Sequence, residues 1–171
     1  MDDKILLFQY LAGEIDRILA GNAAAAAKLE AVCRLLSTEV DYYHWVGFYV
    51  VNGNRKELVL GPFIGASTEH VVIPFGRGIC GQAASRERTI IVQDVARETN
   101  YLSCAPDVKS EIVVPIFRGG RVVGELDIDS HNLAPFTFED VEFLERTAKR
   151  LADFVEPNGP GADHPEHRAK R

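Results

Sequence analysis

Three cysteines and a small set of acids carry the chemical potential of this 171-residue chain. Cys80 closes the stretch "HVVIPFGRGICG", Cys104 sits in "LSCAP", and Cys33 lies in a run with helical spacing. A thiol becomes a nucleophile as its thiolate, which needs a neighbour that favours the charge. Nothing around Cys33 does so, and it reads as core. Cys80 taken alone reads two ways, as a small apolar residue under a glycine-rich turn or as a reactive thiol.

The acids become informative through strand register. "EIVVPIF" and "RVVGELDID" are two strands joined at "RGG". A two-residue turn closing Arg118 on Arg121 would set Val123, Glu125 and Asp127 among Ile112, Val114 and Ile116. A three-residue loop closing Phe117 on Arg121 instead aligns Ile112, Val114 and Ile116 with Val122, Leu126 and Ile128. Burying an unpaired carboxylate costs several kcal/mol, so the second register is expected. Glu111, Asp127 and Asp129 then converge on the opposite face. Carboxylates that close raise one another's pKa, so at least one can hold a proton near neutrality and act as an acid. A solvated acidic face is the alternative. On "HWVGFYVV" the same alternation puts Trp45, Gly47 and Tyr49 together, as ordinary core or as the apolar wall of a small-ligand pocket.

These residues need a scaffold. Apolar residues at helical spacing predict a helix over 3–20, with Ile5, Leu6, Leu11, Ile15, Ile18 and Leu19 as its stripe, and a second from about Asn22 to Thr38. Strand-like runs follow at 44–51, 57–63, 70–74, 89–95, 111–117 and 121–129, with a short helix opened by the glycines before Cys80. A last helix begins near Thr137, a plausible N-cap with Asp140 three residues on. The expected fold is α+β: a largely antiparallel sheet of about six strands, terminal helices on one face and a pocket on the other. Residues 1–155 form one domain, and the tail 156–171, lacking apolar content, is expected to be disordered.

Composition narrows the partners. A net charge of −6 lacks the basic face that nucleic acid or an anionic membrane requires, and no apolar run approaches a bilayer span. An odd number of cysteines and acids at the N-terminus point to the cytoplasm. The absence of a CxxC and the scatter of the five histidines offer no metal motif.

Taken together, "HWVGFYVV", "LVLGPF", "IPFGRGICG", "SEIVVPI" and "GELDIDS" resemble, over roughly residues 40–155, the GAF-domain family of free methionine-R-sulfoxide reductases. The resemblance implies a GAF fold and an L-methionine (R)-S-oxide reductase. Cys104 becomes the nucleophile and Cys80 a resolving cysteine. Glu111, Asp127 and Asp129 become substrate-binding and catalytic acids, and Trp45 and Tyr49 surround the methyl and sulfur end of the substrate. Turnover would run through a sulfenic acid and a disulfide recycled by thioredoxin, with no metal or organic cofactor; homodimerisation is left open. Members often carry a third cysteine where this chain has His70. Two rival readings are a GAF sensor module binding a small ligand without catalysis, and a redox sensor built on Cys80 and Cys104.

Overall fold

The spacing read over residues 3–20 does form a helix, and the computed structural model describes the chain over residues 3–53, 55–103 and 105–157. Helix α1 (Asp3–Ala20) buries Phe8, Leu11 and Ile15. Ile5 and Leu6, expected in the stripe, are exposed. Helix α2 (Ala25–Glu39) buries Lys28, Leu29, Val32, Cys33 and Leu36. Lys28 Nζ donates to the Leu19 carbonyl at 2.7 Å, satisfying an orphan acceptor at the end of α1 where a cation also meets the helix dipole. Among the described residues no helix is long and apolar enough to cross a membrane. The expectations about Cys104, and about the tail beyond 157, fall outside the described residues.

Six strands form one sheet: β1 (Trp45–Asn52), β2 (Glu57–Ile64), β3 (Val72–Pro74), β4 (Ile90–Val92), β5 (Ser110–Arg118) and β6 (Arg121–Ser130). Their order is β3-β2-β1-β6-β5-β4 and every pair is antiparallel. Helices α1, α2 and α4 (Phe138–Leu151) pack on one face, over Val46, Phe48, Ile112, Val114, Ile116, Leu126 and Ile128. A short helix, α3 (Gly78–Arg86), packs on the other, against Trp45, Tyr49, Leu58, Ile73 and Val113. The expected α+β sandwich is therefore present. Its second face is covered by α3 and the connections beside it.

The β5–β6 hairpin corrects the register argument while keeping its outcome. Arg118 pairs with Arg121 across a two-residue Gly119–Gly120 turn, both glycines having positive φ as a type I′ turn requires. The register then shifts between Ile116 and Phe117, so that Phe117 faces Val122 but Ile116 faces Gly124. This bulge supplies the extra residue that the expected three-residue loop would have supplied. Val123, not Val122, joins the helix-side core, and Val122 packs on the opposite cluster. Glu111 pairs with Asp129 and Val113 with Asp127, whereas the expected loop would have set Glu111 opposite Asp127; the faces agree but the pairing is displaced by two residues.

The α4 start is as expected, with Thr137 as N-cap and Asp140 completing a capping box. Asp140 is fully buried and accepts from Lys4 Nζ, Tyr42 and Tyr43 hydroxyls at 2.7 Å each, and from the Thr137 N–H at 2.8 Å. Burial opposes its charge, but these donors outweigh burial and hold the carboxyl below the usual aspartate range. Asp140→Ala is expected to lose about 3–5 kcal/mol in urea denaturation, by breaking a buried ion pair and stranding two phenols. A depressed folded-state pKa gives stability that is present above the unfolded value and lost as pH falls through the folded one. The gap between wild type and variant should therefore begin to narrow as pH falls below about 4.

Candidate active site

The face of the sheet under α3 gathers the acids. In β6 the side chains of Glu125, Asp127 and Asp129 alternate onto one face, opposite Tyr49, Gly47 and Trp45 of β1. On the other side β5 contributes Glu111 beside Asp129. Cys80, Glu111, Glu125, Asp127 and Asp129 are all between 0 and 3% exposed. Glu111, Asp127, Asp129, Trp45 and Tyr49 thus stand on one face, as expected from alternation.

Cys80 reaches this face because of how α3 is seated. A Cβ on Gly81 would lie 2.5 Å from the Pro74 carbonyl oxygen, so only glycine lets the helix approach β3 this closely. Asn100 ties the later connection to the same turn: its Oδ1 accepts from the Gly78 N–H at 2.9 Å and its Nδ2 donates to the Gly76 carbonyl at 2.8 Å. Leu102 packs against Gly78. The Cys80 thiol then lies 3.3 Å from Asp127 Oδ2 and 3.7 Å from Glu111 Oε1, close enough to donate a hydrogen bond to either carboxyl.

Burial and crowding control the charges. Glu111 is pushed well above the usual carboxylate range by burial first, then by Asp127 and Asp129. Glu125 is pushed up by burial and by Asp127. Both shifts favour the protonated form of a carboxyl on this face. Glu125 is not among the site residues expected from the sequence, although it lies two residues before Asp127 in the same alternation.

The aromatics are held from two directions. Trp45 stacks on Phe63 with ring centres 5.3 Å apart and donates from Nε1 to the Ala66 carbonyl at 3.0 Å. Tyr49 donates its hydroxyl to the His70 carbonyl at 2.9 Å. Both therefore secure the connection between β2 and β3 beside the acids. Gly47 makes room for this: a Cβ there would be 2.4 Å from Trp45 Cη2 and 2.7 Å from Phe63 Cβ. Gly47→Ala is expected to lose about 1–3 kcal/mol by overpacking. The chain has a single tryptophan, so a shift of its fluorescence would report the displaced ring directly.

Cys33 lies elsewhere, fully buried in the helix-side core, where burial pushes its thiol up and Sγ donates to the Pro62 carbonyl at 3.6 Å. It is packing, as expected.

Four likenesses bear on what such a face does. A model of the GAF domain matches residues 22–153. The chain is 44% identical over 146 residues to the free methionine-R-sulfoxide reductase of Saccharomyces cerevisiae, covering 78% of this chain and 81% of that one. It is 33% identical to the enzyme of the same name from Escherichia coli, over 87% of this chain and 88% of that one. Among solved structures, the free methionine-R-sulfoxide reductase of Neisseria meningitidis in complex with its substrate superposes with a TM-score of 0.84 at 37% identity, over 91% and 92% of the two chains.

Proposed function

Because the chain belongs to the GAF-domain family and, within it, to the free methionine-R-sulfoxide reductases, we propose that it converts free L-methionine (R)-S-oxide to L-methionine. The observation that carries this is the buried Cys80 thiol at 3.3 and 3.7 Å from two members of a carboxyl cluster, on the face shared with Trp45 and Tyr49.

In the first half of the cycle the Cys104 thiolate attacks the sulfoxide sulfur. A carboxylic acid of the cluster protonates the sulfoxide oxygen, the sulfur–oxygen bond of the substrate breaks as that oxygen passes to Cys104 Sγ, and the products are methionine and a Cys104 sulfenic acid. Glu111, whose protonated form is favoured by burial and by Asp127 and Asp129, is the acid we assign. The ionised members pair with the substrate's α-ammonium, and Trp45 and Tyr49 line the methyl and sulfur end. In the second half the Cys80 thiol attacks the sulfenic acid, a disulfide forms and water leaves. The packing of Leu102 on Gly78 supports that pairing, since it brings the chain two residues before Cys104 against the turn two residues before Cys80.

A thioredoxin-like dithiol, with a potential near −270 mV, then exchanges the disulfide and becomes oxidised itself. Such recycling belongs to a reducing compartment, the cytoplasm. His70 stands where a further recycling thiol would be, so Cys80 is the resolving group in this scheme. The test is turnover of free methionine R- and S-sulfoxide with thioredoxin recycling: the R epimer is consumed and the S epimer is left. Consumption of neither epimer would sink the proposal.

A further inference from the structure

The carboxyl cluster has a second property that sulfoxide chemistry does not require. Sγ of Cys80, a carboxylate oxygen of Glu111 and one of Asp127 all lie within 4.8 Å of one another, and all three residues are buried. Tetrahedral zinc with Zn–S near 2.3 Å and Zn–O near 2.0 Å separates its sulfur and oxygen ligands by roughly 3.5 Å. The observed separations from Sγ are 3.3 Å to Asp127 and 3.7 Å to Glu111. Both sulfur–oxygen separations thus already match two edges of such a site.

A further buried carboxyl lies on the same face, two residues before Asp127 on β6. Glu125 is fully buried, and among the described residues no N–H or O–H group donates to either of its carboxyl oxygens. It follows Asp127's face along β6, and Cys80 and Asp127 are the groups that act on its charge. A buried carboxyl whose neighbouring donor is the Cys80 thiol, itself shared with Asp127 and Glu111, calls for an explanation, and a bound cation is one. Neither Glu111 nor Glu125 takes part in an ion pair among the described residues. The donor set also selects the ion: a thiolate with carboxylates suits a borderline cation such as zinc, and disfavours magnesium and calcium, which want oxygen alone.

We propose that Cys80, Glu111, Glu125 and Asp127 form a binding site for a thiophilic divalent cation such as Zn²⁺, which occupies the carboxyl cluster in place of substrate. The chain spacing gives no hint of it, because the ligands come from α3, β5 and β6. On binding, Zn²⁺ displaces the thiol proton to solvent and forms a Zn–S bond, with no change of oxidation state. The consequence for turnover rests on the functional reading above: zinc would reversibly inhibit the reductase and shield Cys80 from oxidation. The binding itself does not depend on that reading.

The experiment titrates ZnCl₂ into the reduced full-length chain against a chromophoric chelator. His164 and His167 are changed to Ala throughout, so that the tail cannot hold the ion. One zinc per chain is expected, weakened about 100-fold by Cys80→Ser, which removes a ligand, and about tenfold by the near-isosteric Glu125→Gln. MgCl₂ should not compete. Circular dichroism melting checks that each variant is folded. No stoichiometric binding, or equal binding by a folded Cys80→Ser or Glu125→Gln chain, overturns the inference. A parallel assay with R-sulfoxide and no added zinc separates the two claims. Activity without zinc binding overturns the metal site alone, and zinc binding without activity overturns the reductase reading alone.

Discussion

Cys104→Ser is expected to produce no methionine, whereas Cys80→Ser is expected to produce one equivalent per chain from free methionine-R-sulfoxide and then stop under thioredoxin recycling. The asymmetry follows from the two half-reactions. Without the nucleophile no sulfenic acid forms, and the remaining binding groups cannot reduce a sulfoxide, which needs two electrons that only a thiol here can give. Without the resolving thiol the first half proceeds, and the chain is left as a sulfenic acid with no intramolecular partner. A folded Cys104→Ser chain is expected to fall at least about 1,000-fold in kcat/KM, roughly 4 kcal/mol of transition-state stabilisation. Quenched-flow counting of methionine, with a dimedone label read by mass spectrometry at Cys104, distinguishes the cases. Continued full-rate turnover by Cys80→Ser would mean that the external reductant attacks the sulfenic acid directly. One equivalent from Cys104→Ser and none from Cys80→Ser would exchange the two roles.

The parts of this architecture visible in the sequence are those governed by periodicity. Leu11 and Ile15 mark the buried side of α1, and the alternation through Glu125, Asp127 and Asp129 marks a strand face, because side-chain direction follows from local geometry alone. The bulge at Val123 was not visible. Both the two-residue turn and the longer loop satisfy the apolar pattern if one residue is absorbed somewhere, and only backbone pairing says where. The approach of Cys80 to Asp127 and Glu111 was hidden for a different reason. It depends on α3 crossing the sheet, fixed by the contact of Gly81 with the Pro74 carbonyl and by the Asn100 hydrogen bonds, none of which has a periodic signature. Glu125 shows the opposite failure. Its alternation is legible, but the cost of burying a carboxyl points away from a fully buried position for it, and only the fold shows that this face buries four acids together.

Asp129→Asn and Asp127→Asn are each expected to lower kcat/KM for free methionine-R-sulfoxide by at least about tenfold, a loss near 1.4 kcal/mol. Asparagine keeps the size and hydrogen-bonding shape of the side chain but removes the charge that pairs with the α-ammonium. The loss should therefore depend on the substrate's amine. Wild type should strongly prefer free methionine sulfoxide over its N-acetyl derivative, because desolvated carboxylates left facing a neutral amide lose a charged partner without replacing it. In Asp129→Asn that preference should shrink, since the variant has less to lose when the charge is absent. The two variants are also expected to differ from each other. Asp127 lies 3.3 Å from the Cys80 thiol, so its replacement should slow disulfide formation as well as substrate capture. Asp129 pairs across the strands with Glu111 and Trp45, at the substrate end of the face, and its effect should fall on KM with the recycling rate retained. Single-turnover methionine formation and the following disulfide step, timed separately, resolve the two contributions. Equal losses for free and N-acetylated substrate in Asp129→Asn would remove ammonium pairing from the account of selectivity, and full activity in both variants would remove the carboxylates from the mechanism.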